Sequence, residues 1–210
     1  MTRSTATLLA LVCLNACAPA TDGLPYYRTA ELTPEWLSRS DAMQAHRVPD
    51  FELIDQSNQT ITGTDLEGHV VLASFFFTSC AQVCPILRNR WAQVQDHFLE
   101  DERVLLLSHS IVPESDSVPV LARYAASNRV LEGKWHLLTG EHDALYELAR
   151  TGYFVDVDTG AGDRIGTDLM HTETVVLLDT QRRIRGVYTG TLQIELDRIL
   201  EDIAALLAEQ

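Results

Sequence analysis

The chain has 210 residues, 46% of them hydrophobic and 22% charged, a mixture that suits one globular domain with a sizeable core and argues against disorder. Its 16 Lys and Arg stand against 30 Asp and Glu, a formal net charge of −14. That balance argues against nucleic acid or anionic lipid as a partner.

Residues 1–16 read as a removable export signal, with one early positive charge at Arg3, a short apolar core from Ala6 to Leu14 and small residues before a cysteine. The ending Leu14-Asn15-Ala16-Cys17 resembles the lipobox of bacterial lipoproteins, in which the chain is cut before the cysteine and that cysteine is lipidated. A secretory signal cut elsewhere is the alternative; the apolar core is too short for a spanning helix, which takes roughly 20 residues. On the lipoprotein reading the domain is exported and held to a bacterial membrane by lipid alone, facing the periplasm. Loss of Arg3 then leaves 15 basic against 30 acidic residues, a net charge of −15. Cys13 departs with the signal and Cys17 carries the lipid, so Cys80 and Cys84 are the thiols left for chemistry. A domain stapled by disulfides would carry further pairs closing longer loops. A single close pair points to redox or metal work.

Residues 17–45 are polar with scattered Pro and Gly and read as a tether that becomes ordered near Trp36 and Leu37, ahead of a domain at 46–210. "FELIDQSNQTITGTDLEGH" predicts two short strands about a Ser57-Asn58 turn, then a loop at Glu67-Gly68. The continuous apolar run Val70 to Phe77 predicts a central strand covered on both faces. After Pro85 the pattern turns helical, with Ile86, Leu87, Trp91, Val94 and Phe98 recurring at spacings of three to four. Arg103–Ser110 reads as a second buried strand, Val118–Ser127 as a helix, "KWHLLTG" as a third strand and "EHDALYELART" as a helix ended by Gly152. "TETVVLLDT" and "RIRGVYTG" predict two strands around a polar turn, and Leu192–Leu207 an amphipathic terminal helix. The alternation implies an α/β fold with a mainly parallel sheet closed by an antiparallel hairpin.

Cys80 and Cys84 fall where the buried strand gives way to a helix. If residues 80–84 already form the first turn, i and i+4 share a side with Cβ atoms about 5–6 Å apart. Two sulfurs there converge on one ion with little movement, whereas a disulfide wants about 3.8 Å. A helix N-terminus favours thiolate over thiol, and Pro85 suits a first turn because no partner awaits its missing N–H. Soft-metal binding and thiol exchange both need such low-pKa thiolates. Among the seven histidines, His97 and His142 sit with acids at helix ends and read as surface groups, while His46 and His69 fall in loops. His109 and His136 adjoin strand ends, where a site role competes with an ordinary polar one. His171 stands immediately before a buried strand, either as a cap or as a group aimed at the sulfurs.

Taken together, "FFFTSCAQVCP", "MHTETVVLLD", "VPDFELIDQ" and "GHVVLASFFFTSC" resemble, in this order and spacing, the Sco/SenC family of copper-binding thioredoxin-like proteins, over roughly Val48 to Ala208. The resemblance implies a thioredoxin-like fold, a central mixed sheet flanked by helices, with an N-terminal β-hairpin extension. It implies a copper metallochaperone that delivers copper to, or matures, the binuclear copper site of a haem–copper respiratory oxidase, with Cys80, Cys84 and His171 as ligands of Cu(I) and Cu(II). Its partners would be the copper-receiving oxidase subunit and a copper donor. Many members read Asp before Pro-Glu and before the ligand histidine, where this chain has Val112 and Met170; Asp116 is still present further on, and His109 is unusual. A thiol–disulfide oxidoreductase acting on the oxidase subunit's cysteines is the alternative, although such enzymes normally use Cys-x-x-Cys and a cis proline. Peroxiredoxin activity is disfavoured, because "ASFFFTSC" lacks the required Pro.

Overall fold

A computed structural model describes residues 23–81, 83–155 and 173–209. The export signal with Cys17, and His171, lie outside the described residues.

In chain order the elements are β1 (Tyr26–Tyr27), β2 (Pro34–Glu35), α1 (Arg39–Ala42), β3 (Glu52–Ile54), β4 (Thr60–Thr62), a 3-10 turn at Gly63–Leu66, β5 (Val70–Phe76), α2 (Cys84–His97), β6 (Val104–Ser110) and α3 (Val118–Ser127). There follow β7 (Trp135–Leu138), α4 (His142–Glu147) running into a π-helical turn at Leu148–Gly152, β8 (Thr174–Leu178), β9 (Ile184–Thr189) and α5 (Gln193–Ala208). The main sheet has the order β7-β6-β5-β8-β9. β5, β6 and β7 run parallel; β8 is antiparallel to β5, and β9 to β8.

All seven residues of β5 are buried, which is why its sequence is an unbroken apolar run rather than an alternation. Its side chains nevertheless divide by parity. Val70, Leu72 and Phe76 face a core built with Leu87, Trp91 and Val94 of α2, Leu121 of α3 and Ile199 and Ile203 of α5. Val71, Ala73 and Phe75 face the opposite core, with Leu53, Ile61, Leu145 and Tyr153. Three helices thus cover one face, and α4 with the β3–β4 hairpin the other. The hairpin turns at Asn58, whose φ of 60° is a left-handed conformation that Asn tolerates. The Asp55 carboxylate holds this turn by accepting the Ser57 and Gln59 amides at 2.8 and 2.9 Å. His136 of β7 contacts the same carboxylate at 2.9 Å and ties the hairpin to the edge of the main sheet.

Structure begins earlier than the sequence suggests. Arg185 of β9, 3% exposed, donates to the carbonyls of Leu24 and Pro25 at 2.8 and 3.1 Å, pairs with Glu209 and lies 4.1 Å over the Tyr26 ring. The segment from Leu24 onward is therefore seated on β9 through contacts some 160 residues apart in the chain, which no local window of sequence can display. Among the described residues no helix is long and apolar enough to cross a membrane.

Candidate functional site: a thiol pair at the mouth of the central strand

β5 delivers the chain from the middle of the sheet to a tight turn in which the Cys80 amide donates to the Phe77 carbonyl at 3.2 Å. α2 then starts at Cys84, with Pro85 in its first turn. Cys80 therefore precedes the helix instead of belonging to its first turn, a correction to the i,i+4 geometry expected from spacing. The two sulfurs come together all the same. The Cys84 amide, one of the helix's unpaired N-terminal donors, points at the Cys80 sulfur at 3.3 Å. No disulfide joins them.

Their environments differ. Cys80 is half-buried and Cys84 only 3% exposed. Burial, and next the contact with the Cys80 sulfur, push the Cys84 thiol up to about 12. The expectation of low-pKa thiolates thus fails at Cys84: the helix terminus serves Cys80, while Cys84 stands in the apolar layer beneath it. Behind Cys84 a cavity of about 20 Å³ is lined by Ser74, Trp91, Ser108, Tyr124 and Trp135. It holds about one water molecule, so an organic substrate cannot reach the thiols from that side, and their chemistry faces outward.

Asp116, which sequence reasoning noted without assigning a role, is 1% exposed and accepts from the Thr78 amide at 3.1 Å, the Thr78 hydroxyl at 2.5 Å and the Ser110 hydroxyl at 2.7 Å. The available signal was an acid in the short segment between a buried strand and a helix. It had no visible partner in sequence.

The structure sorts the candidate histidines. His109 lies within β6 and is fully buried on the face opposite Cys84; its ring stacks on Phe75 with centroids 5.1 Å apart. Its Nδ1–H donates to the Ser74 carbonyl at 3.2 Å and its Nε2 accepts from the Tyr153 hydroxyl at 3.4 Å. It is a core group, not an auxiliary ligand. His136 is engaged with Asp55, His46 with the Gly152 carbonyl at 2.7 Å, and His97 and His142 are at the surface. Among the described residues no three His, Cys, Asp or Glu side chains gather as a metal site. β8, the strand that His171 precedes in sequence, starts beside the C-terminal end of β5, because Val175 pairs with Ser74. The start of β8 and the cysteine turn share one end of the sheet.

A model of the SCO1/SenC family matches residues 39–208. The chain belongs to the SCO1/SenC family. A SCO1 protein homolog of Bacillus subtilis (strain 168) is 25% identical to it over 160 residues, 75% of this chain and 81% of that protein. Among solved structures, BsSco, a Sco-family cytochrome c oxidase assembly protein with an identified disulfide switch, superposes with a TM-score of 0.67 at 24% identity, covering 79% of this chain and 95% of its own. Bradyrhizobium japonicum ScoI with copper bound gives a TM-score of 0.60 at 24% identity, covering 76% and 98%. At that identity the two structures speak for the fold, which is thioredoxin-like, with the hairpin β3–β4 preceding the central strand of the SCO1/SenC domain.

Proposed function

We propose that this SCO1/SenC protein is a copper metallochaperone that carries copper on Cys80, Cys84 and His171 and hands it to the binuclear copper site of a haem–copper respiratory oxidase. The observation that carries the reading is the convergence of Cys80 and Cys84 at a helix N-terminus, 3.3 Å from amide to sulfur, with no disulfide between them. Soft sulfur selects Cu(I), and an imidazole makes a site tolerable for Cu(II) as well. Copper here is cargo. A half-buried Cys80 over a buried Cys84 leaves one side open, where a receiving protein's cysteines can exchange ligands with the carrier's. Family membership and a neighbour of the same fold that holds copper support this reading. In it Cys17 bears the lipid that keeps the domain at a bacterial membrane, facing the periplasm, where the oxidase subunit's copper site is assembled.

Anaerobic titration of the reduced soluble domain is expected to reach about one Cu(I) per chain, and X-ray absorption to report two sulfurs with one nitrogen. His171→Ala is expected to abolish the Cu(II)–thiolate absorption. Unaltered Cu(II) binding in that variant removes His171 from the site, and a wild-type domain that binds no copper removes the reading altogether.

A second reading, a thiol–disulfide oxidoreductase acting on the receiving subunit, draws support from the same unjoined pair and from the disulfide switch identified in BsSco. The spacing of the pair weighs against it: Cys80 and Cys84 are separated by three residues, where such oxidoreductases normally use Cys-x-x-Cys.

A further inference from the structure

Asp116 has no part in the function proposed above, yet it is the most deeply buried acid near the thiols. Its carboxylate is 1% exposed in the segment between β6 and α3, with its own amide bonded back to the Val112 carbonyl at 3.0 Å. Its partners are hydroxyls and an amide instead of a cation: Thr78 N–H at 3.1 Å, Thr78 Oγ1–H at 2.5 Å and Ser110 Oγ–H at 2.7 Å. Ser110 is locked in turn, its hydroxyl accepting the Val112 amide at 3.2 Å. Three donors converge on the carboxylate, whose two oxygens accept from all of them. Thr78 is two residues, at most about 7 Å of backbone, from Cys80. The carboxylate therefore fastens the turn that carries Cys80 to β6, the strand beside β5, and leaves a fixed negative charge beneath the sulfurs.

We propose that Asp116 is a positioning residue of the thiol site: it clamps the Thr78–Cys80 turn, and its charge biases the site toward the more highly charged form of the bound ion. The second half rests on the copper reading above; the first does not. Removing one unit charge about 10 Å from an ion, at an effective dielectric of about 20, changes the preference for Cu(II) over Cu(I) about tenfold. Asp116→Asn keeps one oxygen for the Thr78 hydroxyl and deletes the charge. Thr78→Val keeps the charge and deletes one arm of the clamp.

The test measures Cu(I) and Cu(II) affinities by competition, and amide hydrogen exchange over residues 78–84 of the copper-free protein, in wild type and both variants. Asp116→Asn is expected to weaken Cu(II) about tenfold more than Cu(I), Thr78→Val to leave that ratio within about twofold, and both to speed exchange at Thr78 and Cys80. A ratio unchanged in Asp116→Asn, or equal losses for both oxidation states, overturns the charge role. If the wild type takes up no copper, the copper reading fails and exchange alone judges the clamp: faster exchange in Asp116→Asn sustains it and unchanged exchange overturns it. Should Asp116→Asn not fold, unchanged exchange in Thr78→Val is enough to reject the clamp.

Discussion

His109 makes the acid limb of this protein's stability accountable to one side chain. It is fully buried, and burial pulls its imidazole from the ordinary 6.5 down to about 4, against the small upward pull of the Ser74 carbonyl. The unfolded chain takes up this proton below pH 6.5 and the folded one only near 4. Between those values the unfolded state binds more protons, so stability present above pH 6.5 drains away as pH falls. The loss works out at about 1.4 kcal/mol by pH 5.5 and about 2.5 kcal/mol by pH 4.5. His109→Phe removes the titration and keeps a ring among Phe51, Phe75 and Tyr153. It leaves the Tyr153 hydroxyl without its acceptor, at about 1–2 kcal/mol near pH 7. Urea unfolding of both proteins at pH 7.5, 5.5 and 4.5 separates the two effects, since carboxylate titrations are common to both and cancel in the difference. The variant is expected to start less stable and to finish, at pH 4.5, at least as stable as wild type. Parallel pH slopes for the two proteins would refute the assignment.

The two thiols should react unequally: iodoacetamide at pH 8 is expected to label Cys80 at least about 100-fold faster than Cys84, because a thiol held near 12 yields almost no thiolate. Peptide mass spectrometry checks this, and equal labelling would place Cys84 in solvent. The same shift makes the fold lose stability above pH 9, since the unfolded thiol ionises first as pH rises towards 12. Arg185→Ala is expected to cost about 2–3 kcal/mol, because it leaves Glu209 and the Leu24 and Pro25 carbonyls without their shared donor. Limited proteolysis should then cut between Tyr26 and Arg39 while the β-sheet core remains intact; uniform resistance would show that β1 and β2 hold without that arginine.

Much of the architecture was legible because it is written in local pattern. The apolar run at Val70 to Phe77 reads as a strand covered on both faces, and Val70–Phe76 is the middle strand of five. The helix read at Val118–Ser127, entered through Pro113, Asp116 and Ser117, has those bounds, with Ser117 at its N-cap. The hairpin about Ser57-Asn58 and the closing pair β8 and β9 were marked by their turn residues. The thiol pair was legible as a pair, from cysteine counting and from its position between a strand and a helix.

Its chemistry was less so. Spacing four apart suggested two thiolates on one side of a first helical turn, and the structure instead starts the helix at the second of them, sinks that one into the core and leaves the first under its amide. His109 shows the same gap. Parity along β6 states that His109 and Ser108 face opposite ways, but which of the two faces the sulfurs depends on which helices pack on which side of the sheet. Asp116 with Thr78, Asp55 with His136 and Arg185 with Leu24 join residues 38, 81 and 161 apart.

The sequence by itself thus determined the main elements from the β3–β4 hairpin onward, their order and the place of the cysteines, since propensity, periodicity and turn chemistry act over a few neighbouring residues. Which polar groups become buried, and against what partner, was decided by the tertiary structure. Desolvation and hydrogen bonding depend on surroundings assembled from distant segments, and those same surroundings separate Cys80 from Cys84.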